Sequence, residues 1–464
     1  MNPIKVSIFA LGCALAGCAV GPDFKRPSPT PVESFTPAPL PEETASANSP
    51  AGAAQKFIFG RDVASDWWTL YQSPQLNALV QRALKANPTV QAAQAALRQS
   101  QELVYAQRGA YYPQVEASYN GVRQRDSGAI SSTVSSSNNP FTLHTAQLSV
   151  SYTPDVFGLN RRTVESLEAL ANAQRFELEA TYLTLSTNVV AAAIQDASLR
   201  AQIASARSVI AALTKSLAIL RQQFAVGYVA GLDVAAQEAA LAQAEQALPP
   251  LEKQLAQNRD LLATLVGVVP AHGPSEAFEL TDLRLPEELP LSLPSRLVEQ
   301  RPDVRAAEEQ LHSASANVGV ATANMLPQFT ITAARGGTAE QIGQMFAGDN
   351  PFWNLAVGVT QPIFMGGTLL HRKRAAEAAY DQAAAQYRST VLSAFQNVAD
   401  VLYAIQTDAA ALEAAVKSER TAKVALDIVT KQLAVGQVNY LALLNAQQTY
   451  QQALGNLAQA RYNR

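Results

Sequence analysis

The sequence predicts an α+β membrane protein. The expected architecture is a trimeric twelve-stranded transmembrane β-barrel, four strands from each chain, on a long α-helical barrel built from two internal repeats. Three observations predict it. Landmarks recur in the same order in both halves of the chain. Two runs of about 69 residues contain neither proline nor internal glycine. Four short segments alternate apolar and polar residues with a period of two.

Composition sets the limits. The chain has 464 residues and a formal net charge of −3, with a pI near 5.9. That balance leaves no basic footprint for nucleic acid. Length alone would suggest about three domains. Charged residues are only 16% and aromatics 7%. Abundant Ala, Gln and Leu favour helix, because Ala loses least on entering one.

The N-terminus reads MNPIKVSIFALGCALAGC. One lysine precedes an apolar run from Val6 to Ala16, too short to span a bilayer, so residues 1–17 read as a signal peptide. The run ends in Leu15-Ala16-Gly17-Cys18, a match to the bacterial lipobox, in which the Cys is acylated and becomes the first mature residue. The competing reading is an ordinary signal with a chance cysteine. Cys13 falls in the removed segment, so the mature chain holds one lipidated cysteine and no disulfide. Ala19, not Asp, follows it, and by resemblance to other bacterial lipoproteins this one is sorted to the outer membrane, extending into the periplasm. Residues 18–65 form a proline-rich arm, an extended segment with no core of its own.

Two repeats follow, 66–270 and 302–464, with a linker at 271–301 expected near the equator of the helical part. Asn87-Pro88 and Arg301-Pro302 each precede a helical pattern. Tyr112-Pro113-Gln114 and Leu326-Pro327-Gln328 each end it. Pro154 to Gly158 matches Pro362 to Gly366. QQFAVGYVAGLDV, from Gln222, matches KQLAVGQVNYLALL, from Lys431. The offsets are 214, 214, 208 and 209. A period near 210 is too long for a solenoid unit, so each half is a large structural unit used twice.

Each repeat is expected to run helix, strand, loop, strand, long helix, turn, helix. The strands fall at about 113–123 and 143–153, then 327–335 and 352–362. Val115, Ala117 and Tyr119 alternate with polar neighbours, as do His144 to Tyr152, Phe329 to Ala333 and Trp353 to Val359. Strands of about ten residues with one apolar and one polar face are the dyad signal of a membrane barrel. A soluble sandwich with one wet face has the same alternation, but the lipid anchor places this chain at a membrane. Four strands cannot close a barrel, and open edges are forbidden in hydrocarbon. Three chains give twelve strands, whereas two give eight and a lumen filled by side chains.

The long helices are expected over 158–227 and 367–436. At 1.5 Å per residue each extends roughly 100 Å. Val391, Phe395, Val398, Leu402 and Ile405 step by threes and fours, the seam of helices packed at shallow angles. The Ala-Val-Gly turns close the hairpins, with Gly227 and Gly436 supplying the left-handed residue that ends a helix. The returning helices are expected over 231–266 and 439–463. Pro249-Pro250 should break the first of these. Trp67 and Trp68 either pack the arm onto the equatorial junction or are ordinary core aromatics.

These landmarks give the chain a resemblance to the outer membrane factors of tripartite efflux systems, in the lipoprotein branch that works with RND pumps. The residues that carry it are the lipobox at Cys18, Val20-Gly-Pro-Asp-Phe-Lys-Arg-Pro27, Asp66-Trp67-Trp68, Asn87-Pro88, Leu248-Pro249-Pro250-Leu251-Glu252, Gln300 to Glu308 and the two turns. The resemblance covers essentially the whole mature chain. It implies a homotrimer, outer membrane lipid around the barrel, a periplasmic adaptor (a membrane fusion protein) and an inner-membrane RND pump that supplies the energy. It also implies passive, gated export of drugs or other toxic small molecules. Type I protein secretion and a non-channel envelope lipoprotein are the alternatives.

No catalytic set is present. His144, His272, His312 and His371 are scattered, and HExxH, GxxxxGK and GxSxG are absent. No enzyme activity and no cofactor beyond the lipid are expected. In related channels acidic side chains near the turns ring the constriction, and Asp233 falls at such a position. Its alternative role is a helix N-cap ahead of Val234. Ala442 and Asn445 stand where many relatives carry Asp, which removes charge from the second turn. Leu433, Val438 and Tyr440 are candidates for apolar or aromatic narrowing, with core packing favoured for Leu433.

Overall fold

A computed structural model describes residues 19–28, 34–125 and 140–464. The expected signal peptide, Cys18 and residues 126–139, where a loop is expected, lie outside the described residues. The chain divides into two compact units. One comprises Ala95–Phe176 and Arg305–Thr390 with the N-terminal residues up to Ser28; the other comprises Pro29–Gln94, Glu177–Val304 and Val391–Arg464.

After the short strand β1 (Lys56–Phe59) come α1 (Pro74–Ala86), α2 (Pro88–Arg108), β2 (Gln114–Gln124), β3 (Phe141–Tyr152), α3 (Leu159–Ala225) and α4 (Gly231–Val266). Then come β4 (Glu288–Leu291), α5 (Pro294–Gln300), α6 (Pro302–Ala323), β5 (Gln328–Ala339), β6 (Pro351–Thr360), α7 (Thr368–Ala434) and α8 (Tyr440–Asn463). Both α3 and α7 contain 67 residues. Length follows from composition: neither run holds a residue that would remove a backbone donor or add glycine's entropy cost.

In the first unit, β2, β3, β5 and β6 form one antiparallel sheet in that order. β2 and β6 are its edges. The N-terminal residues dock on the helices of this unit. The buried Arg162 guanidinium donates to the Val20 carbonyl at 3.1 Å, to Asp23 Oδ1 at 2.8 Å and to Glu165 Oε2 at 2.8 Å. Val20 N–H donates to the Phe157 carbonyl at 3.1 Å. Arg26 pairs with Glu308 at 2.9 Å, and the Phe24 ring stacks on His312 with centroids 4.4 Å apart. The proline-rich arm, read as an extended segment with no core of its own, is held at its start by hydrogen bonds to a buried cation.

In the second unit, α1 buries Leu76, Leu79, Val80 and Ala83, spaced by threes and fours. Ser73 caps it, accepting from Leu76 N–H at 3.4 Å. This stripe packs on Val189, Val190, Ala193 and Ala197 of α3 and on Leu262 and Val266 of α4. Phe278 of the linker and Trp68 complete the cluster. Trp68 is thus a core aromatic, with Trp67 packed edge-on against it. Each fully buried Leu here contributes about 1.5–3 kcal/mol.

One expectation is corrected in this unit. Pro249 and Pro250 do not break α4, which is continuous from Gly231 to Val266. Both prolines are exposed, so water satisfies the carbonyls they leave without a partner and the helix tolerates them. The arm and the linker each contribute one short strand. β1 of the arm pairs in parallel with β4 of the linker, Phe57 opposite Leu289.

Candidate pore and gate

The sheet sorts its side chains by face. In β2 and β3, Val115, Ala117 and Tyr119 stand opposite Val150, Leu148 and Ala146. Val150 and Leu148 then stand opposite Ala333 and Arg335 of β5. Phe329, Ile331 and Ala333 stand opposite Val359, Val357 and Leu355 of β6. The apolar positions of all four strands therefore share one face. The other face carries Glu116, Ser118 and Asn120, then Ser151, Ser149, Gln147 and Thr145, then Gln328, Thr330 and Thr332, then Thr360 and Asn354. On the apolar face Trp353, Leu355, Val357 and Val359 are 59–76% exposed. A row of exposed apolar side chains is costly in water and suits hydrocarbon. The polar face suits a wet lumen.

The second unit carries the two Ala-Val-Gly turns. Gly227 and Gly436 have φ of 81° and 75°. Each turn closes with the same pair of bonds. Gly227 N–H donates to the Phe224 carbonyl and Tyr228 N–H to the Gln223 carbonyl. Gly436 N–H donates to Leu433 and Gln437 N–H to Gln432. This is the Schellman arrangement, which requires a left-handed residue at the first position beyond the helix.

The returning helices begin differently in the two repeats. In α4 the cap position is Ala230, which has no side-chain acceptor. Asp233, three residues on, accepts the Ala230 N–H at 3.2 Å. In α8 the cap is Asn439, whose Oδ1 accepts from Ala442 N–H at 3.1 Å. Both ends satisfy one free donor, from opposite directions. Asp233 is not itself the cap, as its alternative reading had it; it occupies the third helical position and reaches back. It is half-exposed and sits in the first turn of the helix. Ala442 is half-buried and Asn445 exposed. The second turn therefore brings no carboxylate at either position.

Tyr440 is buried, which corrects the expectation that its ring narrows an opening. It packs with Leu220, Leu443 and Leu444, and Leu433 leans on the same cluster. Its hydroxyl donates to Gln237 Oε1 at 2.6 Å, and Gln237 Nε2 donates to the Leu213 carbonyl at 2.9 Å. Burial pushes the Tyr440 phenol up to about 12. Gln237 is fully buried and joins α8 to the α3–α4 hairpin. Sequence reasoning missed it, because one more Gln in a Gln-rich helix carries no signal. Asn439 was also missed, although Asn directly before a periodic run is a cap signal.

The exposed apolar side chains at the turns are Val226, Tyr228, Leu232, Val435 and Leu441. Between α3 and α4, Arg221 pairs with Glu238 at 2.7 Å and Arg207 with Glu252 at 2.8 Å. Among the described residues, no group of three or more His, Cys, Asp or Glu is placed to hold a metal ion.

A sheet with sorted faces and two open edges, on a chain of very long helical hairpins, defines a channel-forming membrane protein. The chain belongs to the outer membrane efflux protein family, whose model matches residues 79–268 and 293–464. The pyoverdine export outer membrane protein OpmQ of Pseudomonas aeruginosa is 30% identical over 440 residues, 92% of this chain and 90% of the relative. The toluene efflux pump outer membrane protein TtgF of Pseudomonas putida is 29% identical, covering 94% and 89%. Among solved structures, the outer-membrane channel OprN superposes with a TM-score of 0.83 at 27% identity, covering 96% of both chains. The open state of the MtrE outer membrane channel of Neisseria gonorrhoeae gives 0.82 at 25%, covering 96% and 95%. This chain is accordingly an efflux channel protein of the outer membrane.

Proposed function

We propose that three copies of this chain form the outer membrane channel of a tripartite pump, with a shared barrel of twelve strands. The observation that carries the reading is the four-stranded sheet with one apolar face, one polar face and two unpaired edges. Such a sheet has no stable place in hydrocarbon until its edges are paired. The channel is passive. An inner-membrane RND pump supplies energy, and a periplasmic adaptor joins the two at the turns. Cys18 carries the lipid, and no other cofactor is needed.

The turns form the gate. Gly227 and Gly436 close each hairpin, and Asp233 contributes one carboxylate per chain to the constriction. Ala442 and Asn445 leave the second turn uncharged, so this gate has fewer charges than one with acids at both turns. Asp233→Ala is expected to raise basal conductance in planar bilayers or lower cation selectivity. Wild-type behaviour in both removes Asp233 from the gate.

The cargo is a drug or other toxic small molecule; relatives are named for pyoverdine export and for toluene efflux. A deletion strain should be hypersensitive to a panel of dyes, detergents, antibiotics, solvents and metal salts, and wild-type complementation should restore resistance. If the deletion instead removes a secreted protein and leaves the panel unchanged, protein secretion replaces this reading.

A further inference from the structure

Within the second unit, one face of α3 and the last turn of α8 border a cleft of about 630 Å³. On α3 the lining residues are Ile194, Ala197, Ala201 and Ala204, which recur by threes and fours and so share one side of the helix. Three of the four are alanine, and their short side chains leave the space open. Leu280, Leu283 and Leu285 of the linker line the cleft as well. Ala197 and Leu283 belong to the buried cluster around α1, so the apolar lining is anchored in packed core. Pro50 and Ala51 of the arm complete it.

Three guanidiniums line the same cleft, those of Arg200, Arg461 and Arg464. They are not equivalent. Arg200 Nε donates to Asp196 Oδ2 at 2.6 Å, and Asp196 is fully buried, so that charge is balanced within α3. Arg461 donates through Nε and Nη2 to a neutral acceptor, Ser49 Oγ, at 3.1 and 2.9 Å. Arg464 donates to the Ile405 carbonyl at 3.1 Å and to Thr44 Oγ1 at 2.8 Å. Its Nε is buried without an acceptor. Among the described residues, neither Arg461 nor Arg464 forms an ion pair with an Asp or Glu side chain. Burial pushes both guanidiniums down from their ordinary value, and Glu419 and Asp408 offset only part of that effect. The one carboxylate that lines the cleft, Glu279, is exposed. Three cations against Asp196 and Glu279 leave the site net positive.

We propose that this cleft binds an amphiphilic organic anion, with its carboxylate or sulfonate on Arg461 and Arg464 and its apolar body on the alanine face of α3. A cation withdrawn from water without a carboxylate carries a desolvation cost, which a bound anion offsets. Guanidinium suits this role because its planar fork meets a carboxylate with two hydrogen bonds. The volume lies within the range of small-molecule sites, about 300–1,000 Å³. The ligand would touch the arm, the linker, α3 and α8 at once and hold them together. The site lies at the opposite end of α8 from the Asn439 cap, roughly 36 Å along the helix. It is therefore distinct from the turns, and the channel reading, which rests on the sheet, does not depend on it.

The probe is naphthalene-2-carboxylate, with naphthalene-2-methanol as the uncharged match. Each is titrated by calorimetry into the purified full-length protein held in amphipol. The expected result is saturable binding of the acid at one site per chain, with the alcohol at least roughly ten-fold weaker. Arg461→Gln should weaken the acid by roughly ten-fold and leave the alcohol nearly unchanged. Ala201→Leu fills the cleft from an exposed helix position and should weaken both. Arg98→Gln, an exposed arginine of α2, serves as the control and should bind like wild type. No saturable binding to the wild type overturns the proposal, as does an alcohol that binds as tightly as the acid. Unchanged affinity in Arg461→Gln overturns the placement of the anion. If that variant does not fold, Ala201→Leu decides alone, and wild-type affinity there overturns the site.

Discussion

Gly227 and Gly436 hold positive φ with open space around the missing Cβ. The cost of alanine there is therefore backbone strain alone, about 1 kcal/mol at each turn. Hydrogen exchange at the turns should rise by several fold in Gly227→Ala and Gly436→Ala, with exchange in the β-strands unchanged. Tyr440→Phe leaves Gln237 Oε1 buried without a donor, at a cost of about 1–3 kcal/mol. That loss should appear as faster exchange in the first turn of α8. The same residue sets a pH window. An unfolded tip releases the phenol proton above the ordinary value of 10, while the folded tip keeps it to about 12. Its contribution is complete below pH 10 and is lost as pH rises to about 12. Local exchange at the tip should accelerate across that interval in the wild type, and Tyr440→Phe should lack this phase. These residues were unequally legible. The glycines declared themselves because only glycine accepts that conformation cheaply. Tyr440 did not, since an aromatic at a turn reads equally as pore lining or as core until its neighbours are known.

The long helices and the four sheet strands were legible because their signals are long: a run without breakers, and several periods of alternation. β1 and β4 were not, because each has four residues and their pairing spans more than two hundred positions. The two prolines in α4 misled for a different reason. Their cost depends on whether water reaches the freed carbonyls, which sequence does not reveal. The docking of residues 19–26 was equally hidden, since Arg162 looks like any surface cation of a helix. In the structure it is 4% exposed and holds Val20 and Asp23. Arg162→Ala should release this segment, and the Val20 amide should exchange roughly ten-fold faster. An unchanged rate would mean that the Phe24 and Arg26 contacts hold the segment without it.

One chain presents an unfinished sheet, and the central claim concerns how it is finished. The repeat accounts for both the number of strands and the two edges left open. Closure by copies of the same chain removes every edge, and three copies leave a lumen that is not filled by side chains. The most direct test is the native mass of the detergent-extracted complex. The account predicts three chains. A folded species of one chain or of two would contradict it.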